Sequence, residues 1–407
     1  MTELDRRRRA AAAWTLLVAR AVYAYNWYDV GGVLPLIGTH FAVGTVPRGV
    51  VLASFLAGAA VFQLPAGIVA MRWGTRRTSI AALAGMGAFA LASAFSPDWI
   101  VLALLRFGAG AGAAFFFAPA LGLVTTYYPS GGRGLMIGAY NGAFSVGSGI
   151  GLFASAYLGP QVGWSPTIAL GGILLLGVAV AAVPLVPAAP NEARVERGAV
   201  GRTAAPILRS RALWALAIGG GGLWGGFYIA AQYFVNFAHS VHPSWSLALA
   251  AAAPTVMIAV EVAGGPIGGW FGERSADLRR PLVLWGVATG ALLAIVPFLG
   301  LVPGVLAFVP LGFADGVTFA LLYLLPTYFP EVRGNVVAFS LALENFVQIL
   351  LGAGLAVVFA LVAASAGYDW AWLFAGVSTV AFLPALKFAR RGSAASRPAR
   401  PPEPLAS

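Results

Sequence analysis

The sequence predicts an all-α membrane protein of twelve transmembrane helices, and three observations predict it. Apolar residues make up 59% of the 407 positions and charged residues 10%, with a mean hydropathy of +0.84. A soluble domain carries about 45–50% apolar and about 25% charged residues. So few charges cannot cover a water-facing surface, and disorder is excluded on the same ground. Apolar runs of about 20 residues, the length that crosses a bilayer as a helix, recur twelve times between short polar or Pro/Gly-rich breaks. Arginine then falls almost entirely on one side of those runs. The runs are continuously apolar and do not alternate, which indicates helices rather than barrel strands.

In order, the runs cover roughly 14–41, 46–70, 77–97, 99–128, 134–158, 164–186, 212–238, 245–271, 281–300, 303–329, 334–364 and 369–388. The breaks include Pro47, Ser96-Pro97-Asp98, Pro129 to Gly132, Gly159-Pro160 and His242-Pro243. The longest polar stretch, 187–211, follows the sixth run. The chain therefore divides into an N-terminal six-helix bundle (1–186), a cytoplasmic linker (187–211) and a second bundle (212–389). A Pro/Ala/Arg/Ser-rich tail (390–407) is expected to be disordered. Arg6 to Arg9 resemble the start of a signal peptide. The apolar run behind them is too long for one and eleven further runs follow, so no cleavage is expected.

The formal charge of +11 is a topology signal. Arg6 to Arg9, Arg72, Arg76, Arg77, Arg133, Arg194, Arg197, Arg202, Arg209, Arg211, Arg274, Arg279, Arg280, Arg333, Lys387 and Arg390 onward share one side; the opposite loops hold Arg48 alone. The positive-inside rule then places both termini in the cytoplasm of a plasma-membrane protein. The same bases can hold anionic lipid; nucleic acid is not an expected partner.

Several chemistries are excluded by composition. There is no Cys, hence no disulfide, thiolate metal site or Cys nucleophile. His40, His239 and His242, the only histidines, fall at or near the ends of spans, which leaves nothing for a metal cage or a triad. No Gly-x-x-x-x-Gly-Lys-Ser/Thr loop exists, and Lys387 is the only lysine. No enzyme activity, cofactor or ATP-driven step is expected.

The halves echo each other. Gly67-Ile68-Val69-Ala70-Met71-Arg72-Trp73-Gly74-Thr75-Arg76-Arg77 follows span 2, and Gly269-Trp270-Phe271-Gly272-Glu273-Arg274 follows span 8. Tyr127-Tyr128-Pro129 with Arg133-Gly134 follows span 4, and Tyr328-Phe329-Pro330 with Arg333-Gly334 follows span 10, at offsets of about 200 residues. Such a parallel repeat places a substrate site between the halves near the midplane. These loops, with Arg106-x-Gly108-x-Gly110-x-Gly112 in span 4, resemble the major facilitator superfamily, and the resemblance covers all twelve spans. Tyr25 to Asp29 in span 1 and Phe115 to Pro119 in span 4 resemble its organic-anion porter branch, which has Arg after the Asp where this chain has Val30. The resemblance implies a cytoplasmic gate built on Gly67, Arg72, Gly74, Arg76, Arg77, Gly269, Glu273 and Arg274. The family's acid before Arg72 is Met71 here, so the arginines need another partner, and Glu331 is the candidate.

Ionisable residues deep in a membrane are functional candidates. Arg20 and Asp29 lie in span 1, Arg106 in span 4, Glu261 in span 8, Asp315 in span 10 and Glu344 in span 11. In the family, spans 1, 4, 7 and 10 line the cavity with 2, 5, 8 and 11 beside them; all six residues lie on those spans. Arg106 is about eight residues from the outer end of its span and Asp29 about ten to twelve, so the two can pair at about 1.5 Å of rise per residue. Arg20 sits about 13 Å nearer the cytoplasm, on the opposite face of span 1, and is expected to snorkel. Glu261, Asp315 and Glu344 have no evident basic partner, which favours their protonated forms. Asn26, Gln232, Tyr233, Asn345 and Gln348 are further candidates for substrate or proton contact.

The function expected is proton-coupled secondary transport of a small organic solute by a monomer, through alternating access. The excess of acids favours a cationic, zwitterionic or amphiphilic substrate, with export possible. A proton-coupled organic-anion symporter using Arg106, an uncoupled facilitator, and a non-transporting sensor on the same scaffold are the alternatives.

Overall fold

A computed structural model describes residues 3–127, 133–187, 201, 205–274, 277–329 and 337–389. Its long helices, numbered in chain order, are α1 (Glu3–His40), α2 (Thr45–Trp73), α3 (Thr75–Ser93), α4 (Trp99–Tyr127), α5 (Arg133–Val162), α6 (Trp164–Leu185), α7 (Arg211–Val241), α8 (Leu247–Arg274), α9 (Arg279–Ile295), α10 (Leu301–Leu324), α11 (Val337–Ala366) and α12 (Tyr368–Ala381). Among the described residues, ten helices are long and apolar enough to cross a bilayer. The two that miss this measure are α1, which carries Arg20, Asp29 and a polar Tyr/Asn run, and α3, whose 19 residues open on Arg76 and Arg77.

Two sequence breaks prove to be helical. Pro47 lies in the first turn of α2, where its missing N–H has no intrahelical partner to lose. Gly159 and Pro160 remain inside α5, and the chain turns at Gly163, whose φ of +90° suits glycine. Helix α1 also begins eleven residues before its apolar run, so Arg7 to Arg9 ride on an extension of the helix rather than on a loop.

Packing repeats at an interval of six helices. Helix α1 packs on α5 and α6, α2 on α4, and α3 on α4 and α6; correspondingly α7 packs on α11 and α12, α8 on α10, and α9 on α12. Contacts between the first six helices and the last six follow the same exchange: α2 meets α11, α5 meets α8, and α1 meets α7. Small residues bring backbones together at matching places. A Cβ at Gly110 of α4 would strike the carbonyl of Phe55 on α2, and one at Gly312 of α10 would strike that of Met257 on α8. Without a hydrophobic force between helices in lipid, such close approach is what holds them.

Burial separates inner from outer helices. In the apolar window of α7, 83% of residues are buried, against 33% in α6 and in α9. Helix α6 presents Ile173, Val180 and Val183 outward, and α9 presents Leu284 and Val287. Apolar side chains exposed all along a helix match a lipid environment.

Candidate functional site

The interior between the two sets of helices is lined with aromatic rings. Trp27 of α1 contacts Tyr23, Phe55 and Phe144, and reaches Trp224 of α7 with ring centroids 6.1 Å apart. Beside this cluster lies Arg20, only 6% exposed. Its guanidinium carbon is 4.4 Å from the ring of Phe144, 4.6 Å from Tyr23, 4.7 Å from Phe117 and 5.0 Å from Tyr140. Arg20 therefore does not snorkel. Packing of α1 on α5 turns that face of α1 inward, and the side chain ends in a cage of four rings. Its Nε and Nη1 have no hydrogen-bond partner, and no carboxylate among the described residues pairs with it. The sequence held a signal for this cage: Tyr23 follows Arg20 by three residues, and Phe144 follows Tyr140 by four, spacings that share a helix face.

Arg106 is differently placed. Its Nη2 lies 3.2 Å from Asp29 Oδ1, and both side chains are almost wholly buried. The same nitrogen donates to the carbonyl of Asn26 at 2.6 Å, and the guanidinium carbon lies 4.7 Å from the ring of Phe55. Asp29 and Arg106, at similar depth on α1 and α4, thus form a neutral pair tying the two helices together. Asn26 also points away from the crevice: its amide donates to the carbonyls of Val22 and of Gly171 on α6.

Three acids lie on the other set of helices. Glu344 of α11 is buried and accepts from Gln348 Nε2 at 2.9 Å through one oxygen, the other having no partner. Beside it, Asn345 Oδ1 accepts from Tyr323 of α10 at 2.9 Å. Glu344 and Arg20 both lie near the Tyr323 hydroxyl. Asp315 of α10 is wholly buried with neither oxygen hydrogen-bonded, and it faces Glu261 of α8.

Gln232 and Tyr233, candidates for substrate or proton contact, belong to a seam that runs from the depth of Trp27 and Tyr228 out to the face opposite the N-terminus. Gln232 donates to the carbonyl of Trp27 at 2.6 Å, and Tyr228 to that of Leu52 at 3.0 Å. The Tyr233 hydroxyl is shared between the carbonyls of Gly49 (3.2 Å) and Ala356 (3.1 Å). Arg48 Nη1 donates to Asn236 Oδ1 at 2.6 Å, and the Asn236 amide donates to the Tyr368 hydroxyl at 2.6 Å. Because α7 is buried on all sides here, its polar groups must bond to neighbouring helices. Arg48, the lone arginine of its face, is thereby the charged member of this latch. Arg48→Ala is expected to raise alkylation of a single Ala356→Cys reporter from that face by about ten-fold, the value of one charge-assisted hydrogen bond. The chain has no other cysteine to interfere, and an unchanged rate refutes the latch.

On the arginine-rich face, Gly74 breaks the chain between α2 and α3 with φ +92°. Arg76 donates from Nε to the carbonyl of Val186 and from Nη2 to that of Val183 at the end of α6. Arg76 thus caps a helix C-terminus, whose free carbonyls and negative dipole end suit a cation. Arg72 and Arg77 are exposed, and no side chain approaches the position of Gly67. Gly269, Glu273 and Arg274 lie at the end of α8. Glu331 and the side chains of Glu273 and Arg274 lie outside the described residues, as do most of 187–211 and the tail.

Comparisons with known proteins agree with this architecture. The model of the Major Facilitator Superfamily matches residues 16–352. Over 179 residues the chain is 31% identical to a gallate transporter of Pseudomonas putida, covering 43% of this chain and 40% of that protein. Over 151 residues it is 32% identical to the 4-hydroxybenzoate transporter PcaK of Pseudomonas aeruginosa, covering 37% of this chain and 34% of that one. The matched segments thus span less than half the length of these relatives. A crystal structure of a D-xylose-proton symporter shares the fold, with a TM-score of 0.76 at 13% identity, over 94% of this chain and 98% of that chain. With the family model running from α1 into α11 and the helix packing repeating at six, the chain belongs to the Major Facilitator Superfamily, a family of membrane transporters rather than enzymes.

Proposed function

We propose that this protein carries small aromatic carboxylates across the plasma membrane together with protons, by alternating access. The observation that carries this reading is Arg20: a buried guanidinium with unbonded N–H groups, ringed by aromatic faces. A cation held in a low-dielectric interior attracts an anion strongly. A carboxylate fits the fork of a guanidinium, and an aromatic ring on that carboxylate would pack against Phe117 and Phe144. Arg106 is not free for this role, since Asp29 neutralises it. The names of the gallate and 4-hydroxybenzoate transporters support the same class. Together these reverse the order drawn from counting acids, which put a cationic or zwitterionic solute first.

In this reading α1 and α3 also cross the bilayer, giving twelve spans in two six-helix bundles, 1–186 and 212–389, joined by the linker 187–211. Arginine on one face puts both termini in the cytoplasm, so the sealed seam around Arg48 is periplasmic or extracellular, and the conformation is closed to the outside. Binding a proton on the buried acids would remove the cost of enclosing their charge, which links proton movement to the rocking of the bundles.

The test is uptake of radiolabelled 4-hydroxybenzoate into proteoliposomes with an acid outside. Accumulation beyond equilibrium, abolished by a protonophore, is expected. Simple equilibration, or accumulation of a quaternary ammonium compound in its place, overturns the proposal.

A further inference from the structure

Tyr28, Glu261 and Asp315 come from three helices and lie at one depth. Tyr28 is twelve residues from the end of α1 at His40, and Glu261 and Asp315 are each fourteen from the starts of α8 and α10. At about 1.5 Å per residue all three lie about 18–21 Å from the sealed face. The backbones of α8 and α10 touch there: a Cβ at Gly316, next to Asp315, would collide with the carbonyl of Glu261. Helix α1 touches α8 as well. Tyr28 and Asp315 are 0% exposed. The Tyr28 hydroxyl, Glu261 Oε2 and both Asp315 oxygens have no hydrogen-bond partner, and neither has the hydroxyl of Thr289 on α9.

Other elements bring only hydroxyls to this junction. Thr289 is directed at Asp315, Tyr228 of α7 lies near Tyr28, and Tyr323 of α10 lies near Glu261. Among the described residues no arginine or histidine acts on either acid, and α5, though packed on α8, brings no titratable group to them. Asp315 is wholly buried and Glu261 half-buried, and two neighbouring carboxyls exchange and share protons, so they titrate as a unit. The seam, which reaches the depth of Tyr28 at Trp27 and Tyr228, cannot sense that titration, because its acceptors are backbone carbonyls, an amide and a phenol. Tyr28 can. It stands on the first set of helices with a free O–H, opposite the acids of the second set.

Resting on the proton-coupled reading above, we propose that Glu261 and Asp315 together hold the coupling proton, and that the Tyr28 hydroxyl ties or releases the two bundles according to that proton. An ionised carboxylate accepts the Tyr28 O–H and holds α1 to α8. The protonated pair accepts it more weakly, and the bundles part.

Proteoliposomes measure this with two readouts, 4-hydroxybenzoate counterflow at equal pH and substrate-evoked proton entry reported by a trapped pH dye. Glu261→Gln/Asp315→Asn is expected to keep counterflow and lose both proton entry and gradient-driven accumulation. Tyr28→Phe is expected to keep proton entry while flattening the pH dependence of counterflow by about three- to ten-fold, the value of one hydrogen bond. A double variant with wild-type proton entry overturns the proposal, as does a Tyr28→Phe protein with the wild-type pH profile. If the double variant loses counterflow, the single variants decide. Glu261→Gln and Asp315→Asn should each shift the pH of half-maximal accumulation, and the wild-type midpoint in both is the refuting result. A wild-type protein with 4-hydroxybenzoate transport but no proton entry refutes the proton-coupled reading itself, a separate outcome.

Discussion

Replacement of Arg20 by glutamine is expected to abolish accumulation of aromatic carboxylates while leaving the protein folded. Removing one partner of a buried charge pair costs about 2–5 kcal/mol, which at about 1.4 kcal/mol per ten-fold is a loss of affinity of at least about thirty-fold. The stability expectation runs the other way. Arg20 has no carboxylate partner among the described residues, so its removal relieves a desolvated charge and the thermal midpoint of the purified protein should hold or rise. Arg20→Lys keeps the charge but loses the planar fork and its stacking on the rings, and should fall between the two. Titration of 4-hydroxybenzoate against the three proteins, followed by thermal shift, checks both halves. Wild-type affinity in Arg20→Gln would remove Arg20 from the site, and a large fall in the midpoint would make it a structural residue.

The second large effect is on stability. Arg106→Leu strips the buried Asp29 carboxyl of its cation, leaving it to stay desolvated or to take up a proton, at a cost of about 3–5 kcal/mol. Asp29→Asn leaves Arg106 its bond to the Asn26 carbonyl and should cost less. The double change Asp29→Asn/Arg106→Gln removes both charges and should recover most of the loss, because an ion pair in a dry interior gains little over neutral groups of similar shape. Thermal unfolding of the four proteins in one detergent orders them: wild type, the double variant, Asp29→Asn, then Arg106→Leu. Equal midpoints for wild type and Arg106→Leu would show that the pair does not hold α1 to α4.

The candidate site was legible in part. Asp29 and Arg106 could be paired because depth along a helix follows from residue number alone. Tyr233 and Gln232 were recognisable as polar groups in the membrane, but their partners, the carbonyls of Gly49, Ala356 and Trp27, could not be. Any backbone carbonyl is an equal acceptor until two helices are placed side by side. Arg76 shows the same limit. Its carbonyl partners lie more than 100 positions away at the end of α6, reached only once α3 packs on that helix.

The amino-acid sequence by itself determined that this is a helical membrane protein, where most helices begin and end, which face carries the arginines, and how deep each buried charge lies. These quantities are one-dimensional: they come from partition of side chains between water and hydrocarbon and from a constant helical rise. Tertiary structure alone decided the direction each side chain takes around its helix. Arg20 and Asp29 share α1, yet Arg20 ends uncompensated among the rings of α4 and α5 while Asp29 neutralises Arg106. That choice depends on how small residues let particular helices approach, a contact between distant parts of the chain that no local pattern contains.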